Sequence, residues 1–356
     1  MEFSPDKICK LAPNKVDYLI PGGEMINAFL EEGPEAKVCS QMWVASLVTS
    51  ALCPGTTVGL SRFAGSDRFL RDCLAEDPAA WLGTAHAGRW GADLGFLLKL
   101  LHSRDRLLIQ THPDGEKAMK YFGLPHGKDE AWYVLSTRPG ACIWLGFRPG
   151  VTPQGFRALI EAQDSAGMLA CLHKIEIQPG QVYFIPAGTV HALGSDCLVA
   201  EIQEPVDLTL RAEYIRPDGS RLPKESMYGA AGMDGMMDCF TFDCLSREEL
   251  LRRHLSAPLP EGSEPWRKKL ISARQTSRFW MDELTLGPDH RLAEVSNPAF
   301  QVLLVLEGAG ELRWAGGTLP VRQGEEFFVP HGVPSFRCAT ETGLKLLTCG
   351  VPEGDA

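Results

Sequence analysis

Gly180-Gln-Val-Tyr-Phe-Ile-Pro186 reads as a tight turn, a short apolar strand and a proline that ends it. The same beat returns without a gap as Gly324-Glu-Glu-Phe-Phe-Val-Pro330. Strand-like stretches surround the first copy: LLIQT ending at Thr111, AWYVLS, CIWLGF, KIEIQ and CLVAEIQ ending at Gln203. Others surround the second: FWMDELTL, FQVLLVLEGAGELRWAGG, LPVRQGEEFFVPHG and LKLLTC. Glycine turns separate them at the spacing of antiparallel strands. A repeated beat of this length implies a duplicated unit. The expected fold is mainly β, with two jelly-roll β-barrel units and short helical insertions.

The insertions fall at about 66–101, 152–172 and 246–255. SDRFLRDCLAEDP sets Phe69, Leu70, Cys73 and Leu74 on one helical face, with Ser66 or Asp67 as cap and Pro78 as stop. ADLGFLLKLLHS is a further short apolar helix or buried segment. Thr152-Pro153 is a cap and first-turn pair, and Ser165 begins a second short helix. Ser246-Arg-Glu-Glu249 has the capping-box spacing. Trp43–Thr49 is β-branched and reads as a strand. The Pro/Gly/Ser-rich residues 256–266 mark a boundary, giving a catalytic domain over 1–256 and a second barrel, without metal, over 257–356.

Composition bounds the function. The 356 residues carry 35 Lys and Arg against 45 Asp and Glu, a net charge of −10. That balance argues against nucleic acid and anionic membrane as partners, although a few local cations still admit an anionic small substrate. No protein partner is implied. No apolar run is long enough to span a bilayer, and MEFSPDKICK lacks a secretory pattern, so a cytoplasmic location is expected. Eleven cysteines without a C-x-x-C fit neither a disulfide framework nor a thiolate zinc site.

The chemistry-bearing residues cluster by pattern. In Gln110-Thr-His112-Pro the alternation of a strand puts Gln110 and His112 on one face. Glu130 opens the next apolar strand, and His191 follows the first turn–strand beat. One amide oxygen, two imidazoles and one carboxylate suit a single borderline divalent cation in a barrel of the cupin kind. Zinc is the first choice, with iron, manganese and cobalt open. Each histidine alone, beside a turn, reads equally as a locally satisfied residue. Glu201, flanked by Ala200 and Ile202 in an apolar strand, needs a partner or a purpose. His331 has no accompanying Q-x-H strand, so no second metal is expected.

At these residues the chain resembles type I mannose-6-phosphate isomerases. LLIQTHPD is similar to their L-S-I-Q-x-H-P-D strand, and Lys128-Asp-Glu130-Ala-Trp132-Tyr to their K-x-E-x-W-Y block. The stretch from Glu176 to Arg211 resembles G-D-x-x-x-I-P-A-G-T-x-H-A followed by E-I-Q-x-x-S-D-x-T-x-R. The likeness runs from about 43 to 216 and is only general beyond 257. It implies that Gln110, His112, Glu130 and His191 bind zinc. It also implies that mannose 6-phosphate and fructose 6-phosphate interconvert through an enediol(ate). Lys128 then sits beside the metal near the sugar oxygens, and Arg211 next to the reacting carbons. Glu201 and Asp207 are cleft carboxylates, with Glu201 the leading base and Asp207 the second. A metal-bound water or a histidine is also open as the base. Lys99 and Arg216 are expected near the phosphate, although each reads as well as a solvated charge.

The chain departs from that pattern at Leu108, where the family has Ser, and at Val206, where it has the Ser of S-D. Pro217 stands where a basic residue is usual, and Pro21-Gly22-Gly23 replaces W-G-G. These changes lie on the phosphate side. They leave open an isomerase of another sugar phosphate; a non-catalytic sugar-binding cupin and an iron-dependent cupin oxygenase are the competing classes.

Overall fold

The computed structural model describes residues 3–257, 259–261 and 264–352. The chain is mainly β, with short helices between strands. It forms two compact units. One gathers the residues up to Asp17, Glu24–Leu100 and those from Ala257 onward; the other gathers Tyr18–Gly23 and Leu101–Ser256. One of the breaks falls between Ser256 and Ala257. Most of residues 1–100, however, group with the C-terminal strands. Backbone pairing explains part of this: Cys9–Lys10 is an antiparallel edge strand on Glu326–Val329, with Cys9 opposite Phe328.

The unit built mainly from 101–256 has strands in two sheets. One runs in the order Leu210–Arg211, Gln110–Thr111, His191–Leu193, Cys142–Phe147, Leu172–Glu176. In the other, Leu255–Ser256, Val182–Ile185, Glu130–Thr137 and Cys197–Gln203 are successive neighbours. Alternation sends one side chain in two toward a shared apolar core. Ile143, Leu145, Ile175 and Leu193 from one sheet meet Trp132, Val134, Tyr183, Ile185 and Val199 from the other. A second cluster packs Phe147, Phe156 and Phe240 behind the first sheet. Phe156 reaches it from the helix Pro153–Ala162, whose first turn is capped by the Thr152 hydroxyl accepting from the Gly155 N–H at 3.1 Å.

In the other unit the strand order is Cys9–Lys10, Glu326–Val329, Gln301–Trp314, Leu344–Gly350, Trp280–Leu286, Glu264–Ile271, Leu259–Glu261. Leu292–Ser296 pairs with Ser335–Ala339, which joins the long strand Gln301–Trp314. Leu284, Leu286, Leu303, Val305, Phe327, Val329, Leu344 and Leu346 form its core.

Several local expectations change. FLLKLL is not a helix: Leu97–Ser103 is a strand, all seven residues buried, so Lys99 is a strand residue. A continuous apolar run fits a two-sided buried strand as well as a buried helix, and periodicity cannot separate them. The strand at Trp43 is shorter than expected and covers Gln41–Val44. The helix after Ser66 begins at Leu70, with no side-chain cap, because the Ser66 hydroxyl is engaged by the Arg68 N–H in a turn. The helix Leu70–Glu76 ends just before Pro78, as the stop requires, and Pro78 also opens the next helix, Pro78–Leu82, capped by Asp77. Residues 256–266 contain strand rather than linker, in Leu259–Glu261 and Glu264–Ile271, while 258, 262 and 263 lie outside the described residues. All eleven cysteines are free thiols.

Candidate metal centre

Three neighbouring strands set up one row of side chains. Gln110 stands opposite His191 on one side and opposite Arg211 on the other, so all three share a face. The facing sheet sets up a second row. Glu130 stands opposite Gln203, and Trp132 opposite Glu201. Both rows continue the inward faces that carry Leu193 and Trp132 into the core. The polar residues therefore cap one end of an apolar interior, where little water competes for them.

Three groups converge there. The His112 Nε2 lies 3.2 Å from Glu130 Oε2, and the His191 Nε2 lies 3.3 Å from Glu130 Oε1. All three side chains are almost fully buried. Each imidazole is oriented from behind: His112 Nδ1 faces the Leu208 carbonyl at 2.9 Å and His191 Nδ1 the Thr189 carbonyl at 2.9 Å. A carbonyl only accepts, so each Nδ1 carries the proton and each Nε2 turns a lone pair toward Glu130. Burial first, then the Lys128 ammonium, pushes the His112 imidazolium down to about 3. His191 is lowered too, mainly by burial. Neither Glu130 oxygen receives an aligned hydrogen bond. Burial by itself would raise this carboxyl, but Lys128 and the imidazoles outweigh it and hold it well below its usual range. Gln110 completes the set, its carboxamide 3.1 Å from His191 Nε2. Turned end for end, that amide presents its oxygen instead.

Such a buried carboxylate without an aligned hydrogen bond, facing two neutral imidazoles, is costly unless a cation joins it. The cation nearest it is the Lys128 ammonium, 3.0 Å from Glu130 Oε2 and 3.1 Å from His112 Nε2. Lys128 also pairs with Glu201 Oε1 at 3.6 Å. Burial opposes its charge, yet Glu130 and Glu201 together hold it above its ordinary value. The two-nitrogen, two-oxygen donor set fits a borderline divalent ion.

The loops that aim these groups are tied together. Asp114 caps the helix Gly115–Phe122 just after His112. The Lys128 N–H donates to the Pro113 carbonyl at 3.0 Å. Gly127 lies so close to that cap that an added Cβ would stand 2.6 Å from the Gly115 nitrogen. The Gly188 N–H donates to the His112 carbonyl at 2.8 Å.

The remaining candidates divide. Arg211 is half-buried, its guanidinium 3.3 Å from the Ser226 carbonyl. Asp207 accepts from the Tyr18 hydroxyl at 2.9 Å. Burial, then Asp207, pushes that phenol up, with Arg211 opposing. Arg216 lies instead in a turn, on the Ser220 hydroxyl at 3.3 Å. Lys99 is buried and belongs to the other unit. Tyr18 carries no signal in the sequence, while Trp132 and Gln203 lie in the K-x-E-x-W-Y and E-I-Q blocks without a role assigned to them. Trp132 places its ring edge-on to His191, centroids 5.5 Å apart, and Gln203 spans to the Val206 carbonyl at 2.6 Å. Strand alternation, which puts Trp132 on the face of Glu130, adds to that signal.

Comparison with known proteins points the same way. The family of type I phosphomannose isomerase catalytic domains matches residues 50–145. YvyI of Bacillus subtilis (strain 168) is 28% identical over 67% of this chain and 70% of its own length. The mannose-6-phosphate isomerase of Streptococcus mutans (serotype c) is 36% identical over 34% of this chain and 37% of its own. The crystal structure of the Bacillus subtilis mannose 6-phosphate isomerase covers 97% of this chain and 99% of itself, with a TM-score of 0.76 at 22% identity. A mannose 6-phosphate isomerase solved with zinc and yttrium covers 97% of this chain and 100% of its own, with a TM-score of 0.73 at 16% identity. At those identities the structural likeness concerns the fold.

Proposed function

We propose that this chain, which belongs to the type I phosphomannose isomerase family, interconverts mannose 6-phosphate and fructose 6-phosphate with one divalent ion, zinc, held by Gln110, His112, Glu130 and His191. The observation that carries the reading is the Glu130 carboxylate, buried without an aligned donor between two imidazole lone pairs. Residues 1–256 hold every residue of this site, and 257–356 hold none of them. We read the two strand-rich units as cupin-type barrels, one with metal and one without. The substrate is a small sugar phosphate, without a nucleic-acid, membrane or protein partner, and the location is cytoplasmic. Among the described residues no helix is long and apolar enough to cross a membrane.

The reaction moves one proton between C1 and C2. Bound at the four donors, the ion supplies Lewis-acid polarisation of the sugar oxygens. The chain's own groups do the rest. Glu201 takes the proton from C2 of the aldose and returns it to C1, with Asp207 as the second choice. Lys128, held charged between Glu130 and Glu201, donates to the sugar oxygens as negative charge grows there. Arg211 stabilises the enediolate without giving up its proton. Arg216 is assigned to the phosphate.

A coupled assay with mannose 6-phosphate, beside elemental analysis, tests this. Turnover that a chelator abolishes and zinc restores is expected, with one metal per chain. Binding of sugar without proton exchange at C2 in deuterated water would make the chain a non-catalytic cupin. Because Leu108 replaces the serine expected on the phosphate side, the panel includes other aldose phosphates, and exclusive turnover of one of those would displace mannose 6-phosphate.

A further inference from the structure

The repeated beat allows the two units to be compared strand by strand. Ile185, just before Pro186, stands opposite Glu130, and Val329, just before Pro330, stands opposite Gln301. Gln301 therefore takes in the C-terminal sheets the place that Glu130 takes in the other unit. The next ladder agrees. Glu201 is opposite Trp132, and Thr348 is opposite Leu303, each two residues further along its strand. The third pair does not follow: Ser335, as far past Pro330 as His191 is past Pro186, is exposed, and Phe336 beside it enters the core. An amide and a hydroxyl thus stand where the first unit has the carboxylates of Glu130 and Glu201, which removes donors a divalent ion needs.

What stands at that place is a cavity of about 720 Å³, with Gln301 and Ser296 in its lining. That is the size of a small-molecule site. Gln301 is fully buried and held in one orientation. Its Nε2 donates to the Ser296 carbonyl at 2.7 Å, and its Oε1 accepts from the Thr348 hydroxyl at 2.8 Å. A carboxamide so held keeps one N–H and one lone pair to offer. One aromatic wall is fixed as well: Trp280 donates through Nε1 to the Val351 carbonyl at 3.0 Å. Phe300 is buried, with Phe328 and Phe96 stacked on it, and only backs the lining. Arg267, Lys269 and Arg274 also line the cavity. The acid among them, Asp282, is buried and clamped by Arg267 at 2.7 Å through both Nε and Nη2, so its charge is compensated. In a chain of net charge −10, this is a local concentration of positive charge.

We propose that the cavity is a second, metal-free binding site for a sugar phosphate. Lys269 and Arg274 receive the phosphate, Gln301 and Ser296 the hydroxyls, and the Trp280 face the C–H side of the ring. The assignment stands on the C-terminal unit alone and is independent of the isomerase reading.

The test uses the full chain, stripped of metal by chelator so that the other site is disabled. Glucose 6-phosphate is the probe, followed by calorimetry and tryptophan fluorescence. Saturable binding of one equivalent with a fluorescence change is expected. Lys269→Gln and Arg274→Gln each weaken it about tenfold, the worth of one charge-assisted hydrogen bond. Both leave isomerase turnover of the metal-loaded protein unchanged. Trp280→Phe keeps the calorimetric binding but removes the fluorescence change, which locates the ligand even if a charge variant folds poorly. Glucose alone binds at least about tenfold more weakly by the same reasoning. No saturable binding, equal binding of glucose, or binding indifferent to all three substitutions would each overturn the proposal.

Discussion

At the scale of single residues, the donors of the candidate centre are interdependent. Glu130→Gln keeps the shape but removes the charge that draws a cation between His112 and His191. Metal content by elemental analysis should fall to background, and kcat should drop by at least about 100-fold, as for loss of a principal electrostatic contributor. Tyr18→Phe is subtler. It removes the donor 2.9 Å from Asp207 without touching the metal donors. Metal content should stay at one per chain while kcat falls about tenfold, roughly the value of one hydrogen bond to a charged group, with KM little changed. An unchanged kcat would leave Tyr18 as packing only. The two residues also differ in how visible they are. Glu130 lies in a local motif, and strand alternation gives it a face. Tyr18 and Asp207 are 189 residues apart, and no spacing rule joins them. A lone tyrosine before Pro21-Gly22-Gly23 carries no signal until the chain folds.

At the scale of elements, sequence reading succeeds where chemistry is local. The Ser246 box closes as the spacing requires: the Ser246 hydroxyl accepts from the Glu249 N–H, and Glu249 accepts from the Ser246 N–H at 3.0 Å. Ser246→Ala should destabilise the protein by about 1 kcal/mol in urea denaturation, leaving metal content intact. Reading fails where burial alone decides. FLLKLL has no polar face to show its period, so only pairing with other strands makes it β rather than α. Gly188 shows a third case, an element set by a neighbour. Its φ of +86° suits glycine, and an added Cβ would stand 2.3 Å from the Thr241 hydroxyl. Its N–H also holds the His112 carbonyl. Gly188→Ala should therefore weaken zinc affinity, measured by competition with a chromophoric chelator, as well as lowering Tm.

At the scale of the whole molecule, the second copy of the turn–strand beat buries a carboxyl, Glu326, where the first copy has Val182. Glu326 lies in Gly324-Glu-Glu326-Phe, almost wholly buried. Its Oε2 accepts from the Ala45 N–H at 3.0 Å, and its Oε1 has no hydrogen-bond partner among the described residues. Burial pushes this carboxyl up to about 8 from its ordinary 4.5. Between those values the folded chain keeps a proton that the unfolded chain has released. Stability must then fall as pH rises through that window, by up to about 1.4 kcal/mol per unit, and the loss ends once the folded carboxyl ionises near 8. Glu326→Gln keeps the shape and the acceptor for Ala45 but has no proton to lose. The difference in unfolding free energy between variant and parent should grow in favour of the variant from pH 5 to pH 8 and level off above it. Parallel curves across that range would mean that Glu326 is already ionised in the folded chain, with a compensating cation or water at Oε1. The difference between the two curves is the quantity to read, because other carboxylates shape both curves alike and cancel in it.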